Sequence, residues 1–189
     1  DGLPMSPERM MTEVAKVLPP ETIIVDDSVT TRDSIHGAME FNTPGSVFGE
    51  RGGALGWGMG AGMGMKLAYP DRPVVAVVGD GSSMMTVQAL WTAAAANIPV
   101  VYVICNNRSY RILKLNMNVY KTQILKEATP RSQYIGTNFA IPMNIAGIAE
   151  ATGVYGRKIE DPAELAPAMK HALSLGKPAV LDVVIDGSL

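Results

Sequence analysis

Three short runs in this chain, VVAVV at 74–78, VVYVIC at 100–105 and AVLDVV at 179–184, are apolar at nearly every position. A strand with one wet face alternates apolar and polar residues. A strand that is apolar throughout has to be covered on both faces, which is the habit of parallel sheets enclosed by helices. Two of the runs also end abruptly on polar groups, the first in GDGSS at 79–83 and the second in NN at 106–107. Ligands of such sheets bind beyond the carboxyl ends of the strands, so Asp80 and Asn107 stand where a site is expected.

The rest of the chain fits the same architecture. SPERMMTEVAKVL from Ser6 has Ser, Pro and Glu in capping order and apolar residues at helical spacing, which predicts a helix. TIIVDD from Thr22 predicts a strand and TTRDSIHGAMEF a helix. ALGWGMGAGMGMKLA is rich in glycine but lacks polar turn residues, which predicts a helix packed closely on its neighbours. One helix is expected over MMTVQALWTAAAAN. Beyond it, MNIAGIAEATG and PAELAPAMKHALSLG read as helices, and VYGRKI and PAVLDVVI as strands. The stretch from Lys114 to Pro142 is polar and breaks the rhythm, so a long functional or disordered loop is expected there. The fold class is α/β, a parallel sheet with helices on both faces.

Composition narrows the function. A chain of 189 residues with 47% hydrophobic and 18% charged residues suits one soluble globular domain, and a net charge of −2 without a basic cluster argues against nucleic acid. No apolar run has the length of a membrane span. The single cysteine, Cys105, lies in an apolar run and reads as a small buried hydrophobe, which suits a reducing, cytoplasmic setting. His36 and His171 are far in sequence from the two strand ends and read as surface residues. Trp57 and Trp91 are expected to pack in buried helices. The twelve methionines read chiefly as core filler, although Met84 and Met85 directly follow the GDGSS motif.

A carboxylate and a carboxamide at adjoining strand ends form a hard oxygen set, suited to Mg²⁺ shared with phosphate oxygens. Gly81 lets backbone approach a phosphate, and Ser82 offers a hydroxyl donor. Either motif alone is explained as a helix cap or a turn. Together they favour a metal-bridged phosphate.

GDGSSMMTVQALWTAAAANIPVVYVICNN, in which positions 80 and 107 lie 27 residues apart, resembles the thiamine diphosphate signature. ALWTAA and NIPVVYV are most similar to benzoylformate decarboxylase, with acetolactate synthase and benzaldehyde lyase close by. The resemblance covers nearly the whole chain but only the C-terminal third of such an enzyme, its pyrophosphate-binding domain. It implies that the N-terminal pyrimidine-binding and middle domains lie outside residues 1–189.

Residue by residue, the resemblance implies that Asp80, the Asn107 side chain and the Ser109 carbonyl hold Mg²⁺. It further implies that Gly81, Ser82 and the Tyr110 backbone contact the diphosphate. In GGALGWG, the Gly53 carbonyl would accept from the aminopyrimidine, and Leu55 would wedge beneath the two rings of the cofactor. Where benzoylformate decarboxylases often place two hydroxyls against the diphosphate, this chain has Val29 and Thr30, and only Thr30 keeps a hydroxyl. The glutamate that activates the cofactor in this family has no counterpart here, since it comes from another domain of a neighbouring subunit. The implied function is thus the cofactor-binding part of a homo-oligomeric 2-oxo acid decarboxylase or carboligase. Taken by itself, this chain is expected to be inactive.

Two other readings use overlapping residues. Gly56, Gly58 and Ala61 form G-x-G-x-x-A, a dinucleotide fingerprint that requires a firm preceding strand, and PGSVFGER is a poor one. A non-catalytic Mg²⁺-dependent nucleotide module would need the same acid and glycines.

Overall fold

The structure, a computed structural model, describes residues 2–49, 52–127 and 133–189. Six parallel strands, β1 (Ile23–Asp27), β2 (Val47–Gly49), β3 (Val74–Gly79), β4 (Val101–Asn106), β5 (Tyr155–Ile159) and β6 (Ala179–Val184), form one sheet in the order β2-β1-β3-β4-β6-β5. The apolar runs occupy its centre, where every residue of β4 and β6 is buried. In β3, Val75 and Val77 pack on one face while Val74, Ala76 and Val78 pack on the other, so both sets must be apolar.

Helices cover both faces. On the first lie α1 (Pro7–Ala15), α2 (Arg32–Ala38) and α8 (Pro162–Ser174), which contribute Met10, Met11, Ile35, Leu165 and Met169 to the core. On the second lie α3 (Trp57–Ala68), α5 (Ala89–Ala95) and α7 (Ile145–Ala151), with Met59, Leu90 and Ile145. The Ser6 hydroxyl caps α1 by accepting from the Arg9 N–H at 3.2 Å. The glycines of α3 allow the close packing expected of them, because a Cβ at Gly62 would lie 3.1 Å from Val100 Cγ1 and 3.3 Å from Ala76 Cβ. Among the described residues, no helix is long and apolar enough to cross a membrane.

The chain leaves β1 through α2 on one face to reach β2, then returns through α3 on the other face to β3 on the opposite side of β1. Connections diverge there, so a crevice opens between the carboxyl ends of β1 and β3.

Three expectations are corrected. The helix predicted over MMTVQALWTAAAAN is two, α4 (Asp80–Met85) and α5, because the Thr86 hydroxyl bonds to the distant Gly56 carbonyl and the backbone leaves helical geometry there. Trp91 is 64% exposed rather than buried, although Trp57 does pack against the second core. The segment after Lys114 is not simply a loop. Its first residues belong to α6 (Arg111–Val119), which runs into a wide π turn at Tyr120–Ile124. The only fully buried residue of α6 is Lys114, while its apolar residues Ile112, Leu115 and Met117 are half-buried, as on a surface helix. Residues 128–132 of that stretch lie outside the described residues.

Candidate functional site

The loop after β1 is held tightly by its own acids. The buried Asp26 accepts from the Ser28 N–H at 3.0 Å and the Ser28 hydroxyl at 2.6 Å, and pairs with Arg32 Nε at 2.6 Å. This turn puts Val29 at φ +56°, a left-handed conformation that a β-branched side chain strongly resists. Such strain persists only where the surroundings impose it, and it clusters at functional sites. Asp27, 1% exposed, turns to the other side. Its Oδ2 accepts the N–H groups of Gly56 and Gly58, both at 3.0 Å.

After β3 the chain turns at once into α4. Asp80 is 2% exposed, with Oδ1 accepting the Gly81 N–H at 2.8 Å and Oδ2 the Arg108 N–H at 2.7 Å. Burial pushes its carboxyl up to about 6, the peptide N–H groups oppose this, and the acid Asp182 adds to it. Gly81 cannot be replaced without movement, since a Cβ would lie 2.5 Å from Tyr110 Cε1. The Tyr110 ring is in turn backed edge-on by Phe139, with centroids 4.8 Å apart.

After β4 the two asparagines separate. Asn106 turns inward, donating to Asp182 Oδ1 at 2.8 Å, and Asp182 Oδ2 accepts the first N–H of α7 at 3.0 Å. Asn107 turns to the crevice, where its Oδ1 accepts from the Ser109 N–H at 2.9 Å. Arg108 between them takes φ +57°, which reverses the chain so that Asn107 and Ser109 flank Asp80. Residues 137–139 brace this loop: Phe139 N–H donates to the Arg108 carbonyl at 3.0 Å, and Tyr110 N–H to the Thr137 carbonyl at 2.8 Å.

These three loops and Leu55 line an open cleft. Of the ten residues singled out from the sequence, nine line it: Val29, Thr30, Leu55, Asp80, Gly81, Ser82, Asn107, Ser109 and Tyr110. Gly53 does not. Its carbonyl accepts the Leu55 N–H at 3.1 Å, closing a tight turn that presents Leu55 43% exposed at the cleft. The Tyr110 N–H donates to the Thr137 carbonyl, and the Tyr110 ring packs over Gly81. Sequence reading missed Asp27, Thr86, Thr137 and Phe139. Asp27 had a signal, an acid closing an apolar strand as Asp80 does.

The dinucleotide reading fails on the same geometry. The N–H groups of Gly56 and Gly58 are both directed at Asp27, and six residues separate Gly56 from the three-residue edge strand β2. They are not placed to cradle a pyrophosphate. His36 and His171 are surface residues, each edge-on to an aromatic ring, Phe41 and Tyr155 respectively.

Residues 31–183 match the family described as thiamine pyrophosphate enzyme, C-terminal TPP binding domain. The chain belongs to that family. It is 31% identical to the benzoylformate decarboxylase of Pseudomonas aeruginosa over 97% of its own length and 33% of that relative. With a probable acetolactate synthase large subunit of Methanococcus aeolicus it shares 30% identity over its full length and 31% of the relative. Among solved structures, a thiamine diphosphate-dependent 4-hydroxybenzoylformate decarboxylase of Rhodococcus jostii RHA1 superposes with a TM-score of 0.88 at 30% identity, covering 98% of this chain and 33% of that one. The chain spans about a third of the length of the relatives it matches.

The cleft suits the cofactor of a TPP-binding domain. Asp80, the Asn107 carboxamide and the Ser109 carbonyl would make an all-oxygen donor set of the kind Mg²⁺ takes together with phosphate oxygens. Among the described residues no cationic side chain pairs with Asp80, so a buried carboxylate facing a second acid has only peptide N–H groups to stabilise its charge. A divalent cation would relieve that deficit.

Proposed function

We propose that this TPP-binding domain belongs to a 2-oxo acid decarboxylase of the benzoylformate decarboxylase kind, acting through thiamine diphosphate anchored by Mg²⁺. The observation that carries the reading is the convergence of Asp80, Asn107 and Ser109 with Gly81, Ser82 and Thr30 in one cleft at the carboxyl ends of β1, β3 and β4. Asp80, Asn107 Oδ1 and the Ser109 carbonyl would hold the metal. Ser82 and Thr30 would donate hydroxyl hydrogen bonds to the diphosphate, with Gly81 keeping side-chain bulk away. Leu55, carried on the turn at Gly53, would stand beneath the rings and bend the cofactor. When bound, thiamine diphosphate supplies an acidic thiazolium carbon that adds to a carbonyl, and an electron sink for loss of carbon dioxide.

What these residues do is bind, orient and keep water from one side of that group. The pyrimidine ring, the activating carboxylate and the substrate would be met by other parts of the enzyme and by a second subunit. Leu55, Met84 and Met85 support this, being large apolar side chains left exposed on the segments that frame the cleft. A carboligase of the acetolactate synthase kind is the second reading, favoured by the comparable identity and coverage of that relative. Both chemistries require the same anchor, so residues that hold it do not choose between them.

The test is calorimetric titration of the full-length protein with thiamine diphosphate, with and without Mg²⁺, against NAD and ATP. A panel of 2-oxo acids including benzoylformate and pyruvate is then assayed for carbon dioxide, aldehyde and hydroxyketone. Mg²⁺-dependent binding of thiamine diphosphate with release of carbon dioxide is expected. Preference for NAD or ATP would overturn the reading.

A further inference from the structure

Asp27 is a buried carboxylate that neither the diphosphate nor the metal reading uses. It ends β1 one residue before the strained loop, and it is 1% exposed. One oxygen, Oδ2, takes both the Gly56 and Gly58 N–H groups, while Oδ1 is buried without a partner among the described residues. A buried carboxylate with no cation and one unsatisfied oxygen is an expensive way to make two hydrogen bonds.

The surroundings show what the bonds fix. Gly56 sits at φ +89°, and its peptide is held at three points: the N–H by Asp27 and by Ser82 Oγ at 2.8 Å, the carbonyl by the Thr86 hydroxyl. The neighbouring Gly58 is pressed against Asp27 so closely that a Cβ there would lie 2.5 Å from Asp27 Cβ. The residue directly before this clamped peptide is Leu55, exposed in the cleft. Ser82, on the opposite wall, shares the Gly56 N–H with Asp27.

We propose that Asp27 is a positioning residue that sets the height and direction of Leu55 relative to the diphosphate wall, so that the bend in the cofactor is pre-formed. Asp27 touches neither cofactor nor substrate. It acts through the Gly56 peptide, and the claim rests on the cofactor reading given above. Pre-organisation of this kind affects the rate more than the affinity, because the anchor at Asp80 is separate from the wedge.

The experiment uses the full-length protein and the variants Asp27→Ala and Asp27→Asn. Asparagine keeps an acceptor for the two N–H groups and alanine does not. In Asp27→Ala, amide exchange at 53–58 should accelerate while that of β3 and β4 stays slow. kcat should fall roughly tenfold to a hundredfold, as misplacement of a reacting group does. The dissociation constant of thiamine diphosphate should change by less than about threefold, since the transition-state term alone is removed. Asp27→Asn should restore most of both. A uniform loss of protection across the sheet, or no rescue by asparagine, overturns the proposal. Should the alanine variant fail to fold, the wild type decides: the Gly56 and Gly58 amides must be as protected before cofactor is added as after, and fast exchange in the cofactor-free protein overturns it. If the wild type binds no thiamine diphosphate, the underlying function falls, whatever exchange shows at Asp27.

Discussion

Asp80 and Arg108 meet backbone to side chain: Asp80 Oδ2 accepts the Arg108 N–H at 2.7 Å, tying the end of β3 to the left-handed turn after β4. One carboxylate thereby sets the loop that carries two of the three proposed metal ligands. Asp80→Asn should therefore do more than remove a charge. Its amide nitrogen must face either Gly81 N–H or Arg108 N–H, donor against donor, with a loss of about 1–3 kcal/mol for the unmade bond. Mg²⁺-dependent affinity for thiamine diphosphate should fall by about 100-fold or more with both losses combined, while the circular dichroism spectrum is kept. Calorimetry on the variant checks this, and unchanged affinity removes the assignment.

The same residue predicts a pH dependence. In the cofactor-free chain burial, with Asp182 near, pushes the Asp80 carboxyl up to about 6 from 3.8. The neutral form is favoured on folding, so this group's contribution to stability is complete below the unfolded value and is lost as pH rises through about 6. Metal binding needs the ionised form. Affinity for the Mg²⁺–cofactor pair should hold above pH 6 and drop about tenfold per unit below it. A titration series from pH 5 to pH 8, with Asp80→Asn as the flat control, reads this out.

Gly81→Ala tests the ring packed over the motif. The new methyl would lie 2.5 Å from Tyr110 Cε1, and the ring cannot retreat freely because Phe139 stands behind it. Overpacking of this kind costs about 1–3 kcal/mol. Stability and cofactor affinity should both fall, and Tyr110→Ala in the same chain should recover stability. A thermal melt of the single and double variants measures the coupling.

Leu55→Ala separates wedge from core. At 43% exposure Leu55 contributes little to the cofactor-free fold, so the melting temperature should move by no more than about 2 °C. Proton exchange at the thiazolium carbon, followed by NMR in the full-length protein, should slow more than affinity weakens. An unaltered exchange rate would mean that Leu55 is ordinary surface packing.

The sheet and the placing of Asp80 and Asn107 were legible because they follow from local facts. A run apolar at every position must be covered on both faces, and the residue that ends it must face a strand terminus. Contacts made across long separations were not legible. The break at Thr86 depends on the Gly56 carbonyl thirty residues away, and the clamp at Asp27 on glycines about thirty residues later. Helix α6 was missed for a different reason: Ile112, Leu115 and Val119 do recur at helical spacing, but lysine and asparagines stand between them and the segment runs on into an irregular polar stretch. Trp91 misled because size suggests burial, whereas this side chain is left on the surface.

The central claim is that the three strand-end loops hold a metal-bridged diphosphate. A crystal structure of the full-length protein grown with thiamine diphosphate and Mn²⁺ in place of Mg²⁺ tests it most directly. Anomalous density should appear within roughly 2.0–2.3 Å of an Asp80 carboxylate oxygen, Asn107 Oδ1 and the Ser109 carbonyl, with diphosphate oxygens completing the shell beside Ser82. Manganese bound elsewhere with this cleft empty, or a diphosphate held with no metal between it and Asp80, would contradict the account.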